Sequence, residues 1–238
     1  EKMGKLTNFF PGVSTGDPRS QGGDSFFPLV NELTHTWWYD DFHRYVSGDW
    51  TLTETQAGAT QALATGHGGQ LLLTNTSADN DVVSLQLGTT SFAFAAGRKA
   101  WMAWRVKASE ATDFELLLGL LVTDTSPIAS LATDGAYFYK ADDAATWAFH
   151  TRASSAAVVT KSGIATLTAN TFQKLAMYYD GLNTIQLWVD DVPAGTINAA
   201  FASLFPTADL QVTMACQAGA AAAKTMTVDY GLVLFDRA

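Results

Sequence analysis

The sequence has a single cysteine among its 238 residues. One cysteine can build neither a disulfide within the chain nor a cysteine-based zinc site, so packing or association must supply the stability. From Leu210 to Cys216 apolar residues recur at every second position, which predicts a strand whose inward face carries the sulfur. We therefore expect Cys216 to be a buried small apolar residue without a chemical role.

Charge is also scarce in this chain. Charged residues make up 16%, with 14 Lys and Arg against 23 Asp and Glu and a net charge of -9. No cluster of basic residues could neutralise phosphates, so nucleic acid is not an expected partner. With 47% hydrophobic residues, so little charge suggests that a partner covers part of the surface. No apolar run approaches the ~18 residues of a spanning helix, so we expect no membrane partner.

Strand-like segments fill the chain from Trp37 onward. Short alternating runs are separated by Gly, Asp, Asn, Thr and Ser, and helical periodicity is hard to find. The even positions of 100–106 would share an inward face, and the apolar run 114–122 would lie at the centre of a sheet, covered on both sides. At least ten such segments predict an all-β fold, a two-sheet antiparallel jelly-roll sandwich.

The N-terminal residues 1–38 differ from the rest. Gly and Pro interrupt any period, and two pairs of aromatic residues each precede a proline. These residues are Phe9, Phe10 and Pro11, and Phe26, Phe27 and Pro28. Since exposed Phe pairs would be left in water, we predict that residues 1–38 form an extended arm that binds a partner, followed by a sandwich over residues 39–238.

Three stretches resemble the concanavalin A-like, laminin-G-like jelly-roll superfamily. Residues 179–191 are similar to a hairpin in which one strand ends in Tyr-Asp-Gly and the next in Val-Asp-Gly, although Asp191 stands where glycine is usual. Residues 228–234 resemble the closing strand that pairs beside the first one, and residues 40–42 resemble the usual opening. The resemblance implies this fold over about residues 38–238 and says little about function.

Within that superfamily, four segments look like structural proteins of tailed bacteriophages, including capsid decoration (cement) proteins. The segments are 40–42, 119–127, 134–138 and 228–230. This resemblance implies a non-enzymatic virion protein, made in the host cytoplasm, that sits on the capsid surface as a homotrimer. It would bind the major capsid protein through the arm described above.

Glutamate is too rare to suggest a glycosidase. Such an enzyme needs two carboxylates about 5 to 10 Å apart, one as acid and one as nucleophile or base. The glutamates are Glu1, Glu32, Glu54, Glu110 and Glu115. Glu115 with Asp113 is the single pair with same-face spacing, and we interpret it as a solvated strand edge. We therefore expect no enzymatic activity.

Glycan binding without catalysis is the alternative function, as a module of a tail fibre or a bacterial surface protein. Trp101 and Trp188 fall opposite the apolar face of their strands, so either could stack on a sugar, although both faces of a central strand can be buried. Residues 79–81 and 142–143 could supply oxygen ligands to Ca²⁺, but we interpret both as turns. The histidines show no paired spacing, and we expect neither a metal nor a cofactor.

Overall fold

The computed structural model describes residues 34–66, 68–156 and 158–237. The strands in these ranges are β1 (His35–Asp40), β2 (Trp50–Glu54), β3 (Thr60–Leu63), β4 (Leu71–Thr74), β5 (Val82–Leu87), β6 (Ala100–Ala108), β7 (Phe114–Leu121), β8 (Gly135–Lys140), β9 (Thr146–Arg152), β10 (Val159–Thr166), β11 (Gln173–Tyr179), β12 (Thr184–Val189), β13 (Val192–Asn198), β14 (Gln211–Ala218) and β15 (Thr225–Asp236). A 3-10 turn covers Ser47–Asp49 and a single helical turn, α1, covers Phe201–Leu204. The predicted arm contacts from Phe9 to Pro28 lie outside the described residues.

The strands form two antiparallel sheets, as predicted. The first sheet has the order β13-β12-β11-β6-β15-β4-β3, and β1 also pairs with β15. The second sheet has the order β10-β9-β8-β7-β14-β5-β2. The pairing of β1 with the closing strand β15 confirms the neighbours expected from residues 228–234. Because β1 begins at His35, residues 35–38, which the sequence assigned to the arm, belong to the first sheet.

One apolar core fills the space between the two sheets. The even positions of 100–106 on β6 all point into it, which confirms their predicted shared face. Cys216 on β14 is also fully buried there, and burial raises the pKa of its thiol. Its role as a small apolar core residue is thus confirmed.

Strand β7 lies at the centre of the second sheet and is covered on both sides, as expected. Its inner side packs in the core, while Leu117 and Leu121 on its outer side pack with Ile128 and Ala132 of the following segment. The interpretation of Glu115 as a solvated strand edge was wrong. Glu115 is half-buried on this central strand and accepts a hydrogen bond from the Tyr139 hydroxyl, and burial raises the pKa of its carboxyl.

The predicted hairpin joins β11 to β12. Its turn places Gly181 at φ 83, and the Asp180 carboxylate accepts hydrogen bonds from the backbone N–H groups of residues 182–184. At the next turn, Asp190 and Asp191 both adopt positive φ, at 50 and 64. The glycine that is usual at position 191 is therefore replaced by a residue type that still tolerates this conformation.

Candidate binding face

The outer side of the first sheet carries a band of large aromatic side chains. We call it the aromatic face and define it by Trp37, Tyr39, Trp101, Tyr178 and Trp188. The strand register sets these residues in two neighbouring rows. One row runs Trp37, Leu234, Trp101 and Tyr178, and the other runs Tyr39, Leu232, Ala103, Ala176 and Trp188.

The aromatic face is unevenly covered. Trp101 is only 7% exposed and packs at a tilt against Tyr178, with ring centroids 5.3 Å apart. The His35 ring meets Trp101 edge-on at 6.4 Å. By contrast, Trp37 is 37% exposed and Tyr39 is 36% exposed. The face therefore combines a buried centre with a margin that reaches solvent.

Charged residues border the aromatic face on the side where β6, β11 and β15 continue. Arg105 forms an ion pair with Asp229 at 2.6 Å, and its guanidinium lies 4.2 Å from the centre of the Phe172 ring. The Lys107 ammonium lies 4.8 Å from the same ring. Such a polar margin around an apolar centre is the usual anatomy of a protein interface.

A segment of the same chain covers the outer side of the second sheet. Its covering segment, residues 122–134, is held to the sheet by hydrogen bonds near both of its ends. For example, the Asp124 N–H donates to Gln86 Oε1 at 2.9 Å, and Arg152 donates to the Leu131 carbonyl at 2.8 Å. Ile128 and Ala132 of this segment pack with Leu117 and Leu121, so the segment covers the outer side of β7.

Beside that cover, three ring side chains cluster on β8 and β9. The His150 ring lies 5.5 Å from Tyr137 and 4.8 Å from Tyr139. Burial lowers the pKa of His150 to about 4 and raises the pKa of Tyr137 to about 12. Within the described ranges, neither His150 Nδ1 nor the Tyr137 hydroxyl finds a hydrogen-bond partner. The cluster therefore keeps a neutral imidazole at ordinary pH.

A shallow polar depression of about 370 Å³ lies where β1 leaves the first sheet. Its lining includes Asp40, whose carboxylate accepts the Phe42 N–H at 2.7 Å, and Asp41, which pairs with His43 at 3.0 Å. Burial raises the pKa of Asp40. No group of three or more His, Cys, Asp or Glu side chains in the described part of the chain is arranged to hold a metal ion.

Of the two segments weighed as calcium ligands, residues 79–81 hold neighbouring loops together through Asp81, and residues 142–143 lie in a turn. Asp81 is buried and its carboxylate accepts hydrogen bonds from the Thr55 hydroxyl and from the N–H groups of Gln56 and Thr76. Asp143 occupies a turn position with φ 58.

Over the described ranges, no helix has the length and apolar character needed to cross a membrane.

No protein-family model matches this sequence, and no curated protein is similar to it in sequence. Solved structures nevertheless share its fold over most of the chain. The endo-1,3-beta-glucanase of Streptomyces sioyaensis has a TM-score of 0.61 at 14% identity, covering 84% of this chain and 96% of that chain. The carbohydrate recognition domain of Emp47p has a TM-score of 0.58 at 15% identity, covering 88% of this chain and 100% of that chain. Peanut lectin has a TM-score of 0.56 at 9% identity, covering 85% of this chain and 97% of that chain.

The fold is a concanavalin A-like jelly roll. Identities of this size show the fold alone, and the neighbours include both enzymes and binding proteins.

The jelly roll brings together residues that the sequence singled out and residues that it missed. Trp101 and Trp188 do lie on the outward side of their strands, as predicted, but Trp101 is buried there while Trp188 is partly buried. Sequence reasoning missed Trp37 and Tyr178 as their neighbours. A signal existed in the pairs 37–38 and 178–179, since one ring of each pair must face outward, but only the strand register tells which.

Proposed function

We propose that this jelly roll is a non-enzymatic binding protein of a virion, a decoration protein that attaches to the capsid surface through its N-terminal arm. The observation that carries the proposal is the aromatic face, with Trp37 and Tyr39 each more than a third exposed. Large aromatic side chains that reach solvent are enriched at protein interfaces, so we take this exposed margin of the face as the part that meets a partner. This face lies on the same sheet as β1, the strand that the arm enters.

The surroundings of Glu115 support a role without catalysis. A glycosidase holds two carboxylates toward an open site that admits the sugar. Glu115 instead accepts a hydrogen bond from Tyr139 beside the covered outer side of the second sheet. The carboxylate supports the packing of β7 against β8, and its half-buried position is explained without a substrate.

Sedimentation with phage heads tests this binding, with a deletion that ends just before β1 as the comparison. The partner in this proposal is the major capsid protein, so the probe is purified, expanded empty heads of the phage that encodes the chain. We expect the full chain to sediment with the heads, and deletion of residues 1–33 to abolish sedimentation while β1 stays complete. Deletion beyond residue 34 would instead remove part of a sheet strand.

A matched variant separates loss of contact from loss of fold. Replacing the four arm phenylalanines, Phe9, Phe10, Phe26 and Phe27, by alanine should weaken sedimentation without changing the thermal melting of the sandwich. Native mass spectrometry should give the mass of three chains for the proposed homotrimer. Unchanged sedimentation after deletion of residues 1–33 would contradict attachment through the arm.

The alternative is a glycan-binding module, and the partly buried ring of Trp188 on the outward side of β12 favours it. An aromatic ring on the outward side of a sheet can stack on the apolar face of a sugar. We expect saturable binding to at least one member of a glycan panel, weakened roughly two- to ten-fold by Trp188→Ala, since a stacked ring contributes roughly 0.5–1.5 kcal/mol. Leu182→Ala, at an exposed position in the β11–β12 turn, is the matched control. A panel without binding would remove this alternative.

A further inference from the structure

The two lateral sides of the sandwich, where the edge strands of its sheets lie, differ in how they are protected. On one side β10 lies beside β13, and the Lys161 side chain packs over Gly195, where a β-carbon would lie 2.6 Å from Lys161 Cε. Pro193 on β13 and an irregular register in both strands also discourage the addition of a further strand. On the other side the edge strands are β2 and β3, and neither contains a proline or a lysine.

The outer edge of β3 presents backbone groups that point away from the sheet. At the end of the β3–β4 pair, the Ala64 N–H donates to the Gln70 carbonyl at 2.8 Å. Because bonding in an antiparallel pair alternates along a strand, Ala62 also bonds toward β4, while the N–H and C=O groups of Gln61 and Leu63 point to the other side. Within the described ranges β3 pairs with no strand except β4. Gln61 and Leu63 can therefore pair with a strand from another molecule.

Exposed apolar side chains lie along the same edge. Leu63 is opposite Leu71, and Leu52 of β2 is opposite Leu85. Since Leu71 and Leu85 belong to the core and opposite residues share a face, Leu63 and Leu52 point into the space between the sheets. Leu63 is nevertheless 48% exposed and Leu52 is 42% exposed. The apolar space between the sheets thus reaches solvent where β2 and β3 face each other.

We propose that an extended strand of the capsid protein adds to β3 and packs an apolar side chain against Leu63 and Leu52. This inference rests on the proposed function, because it takes the capsid as the partner. In strand addition the backbone bonds supply affinity, and the side chains at alternate positions supply specificity. The strand that fits has an apolar residue beside Leu63 and no acidic residue near Glu54, which is the one charged residue of β2 and β3.

The size of this edge and the charge of the chain favour the capsid over a second copy. Strand β3 has 4 residues, or about 13 Å of edge, whereas a stable pair of subunits buries about 800 Å² on each partner. Two copies would also bring together chains that each have a net charge of -9. A capsid subunit that is already attached at another point needs only a small additional contact, because the attachment raises its effective concentration at β3.

Sedimentation of the full chain with expanded empty heads tests the addition of a strand. Leu63→Lys places a charge at the exposed edge and keeps the backbone bonds to β4. We expect it to weaken binding to heads about ten-fold or more, since the added strand would bury the charge. Val192→Lys is the matched control, because Val192 is also an exposed apolar residue but lies on β13 at the other lateral side. It should bind as the parent does.

Hydrogen exchange separates strand addition from a contact made by side chains alone. When the parent binds heads, exchange of the peptide that contains β3 should slow by about two amides, those of Gln61 and Leu63, and the peptide that contains β13 should not change. Gln61→Pro is the second variant. It removes one outward N–H, which an edge strand tolerates, and it should weaken binding without lowering the thermal melting temperature much.

Three outcomes would overturn the proposal, and they differ in what they say of the proposed function. Unchanged sedimentation of Leu63→Lys and Gln61→Pro would overturn strand addition and leave the proposed function intact. A parent chain that does not sediment with heads would overturn both. A native mass of several chains that falls to one chain in Leu63→Lys would show that a second copy occupies the edge.

Discussion

Gly69→Ala is expected to lower the free energy of unfolding by about 3 kcal/mol, the upper range for overpacking at a site that cannot relax. A β-carbon at Gly69 would collide with backbone atoms of residues 41–43, namely the Asp41 carbonyl oxygen, the Phe42 carbonyl carbon and the His43 nitrogen. Backbone atoms cannot rotate away as the end of a side chain can. The turn before β4 and the segment after β1 would have to separate, which would uncover the Phe42 ring in the core.

Urea denaturation followed by tryptophan fluorescence measures this loss as a lower midpoint. Gly48→Ala is the matched control, because a β-carbon there meets no heavy atom within 4 Å and the residue lies in the nearby 3-10 turn. Its effect should stay within about 0.5 kcal/mol, as for most surface substitutions. A Gly69→Ala protein that unfolds at the same urea concentration as the parent would show that residues 41–43 are not in close contact with Gly69.

His150→Phe is expected to remove a large part of the loss of stability on acidification. Burial lowers the pKa of His150 to about 4, below the 6.5 of the unfolded chain. As the pH falls below 6.5, this histidine becomes protonated in the unfolded chain but stays neutral in the folded protein. The stability that the neutral imidazole contributes is therefore fully present above pH 6.5 and is lost progressively toward pH 4. A shift of this size corresponds to up to about 3 kcal/mol. Phenylalanine keeps a ring against Tyr137 and Tyr139 without a proton to take up.

The measurement is the free energy of unfolding of both proteins at several pH values between 7 and 4. The advantage of His150→Phe over the parent should grow as the pH falls, since carboxylates that titrate in this range are common to both proteins and cancel in the difference. His43→Phe, at an exposed position, should keep most of the slope of the parent, because exposed ion pairs contribute little. A constant difference between His150→Phe and the parent would contradict the burial of a neutral imidazole.

Much of the fold could be predicted because strand patterns are local. The alternation at 100–106 and at 210–216 identified inward faces correctly, and Trp101 and Trp188 were placed on the outward side of their strands. The turn at Asp180-Gly181 was predictable because few residue types accept its backbone conformation. Each of these features depends on residues within one strand or one turn.

The candidate site was less predictable because it depends on register between distant strands. Trp101 meets Tyr178 across β6 and β11, residues that are far apart in the chain. Glu115 was misplaced for a similar reason: whether β7 is an edge or a central strand is decided by β8 and β14 beside it. Nothing in the sequence around Glu115 indicates that Tyr139 will donate to its carboxylate.

Alternation within single segments was enough to predict the all-β sandwich, the inward face of its strands and the buried state of Cys216, because a period of two assigns each side chain to a face before any strand has a neighbour. Which outward faces are covered, and by what, depends on contacts between distant segments. Residues 122–134 close the second sheet around Ile128, and the register of β1, β15, β6 and β11 assembles the aromatic face. The covering of the second sheet and the formation of the aromatic face both depend on contacts between segments that are distant in the chain. The energy of such contacts depends on which segments meet in space and not on the pattern within any one segment.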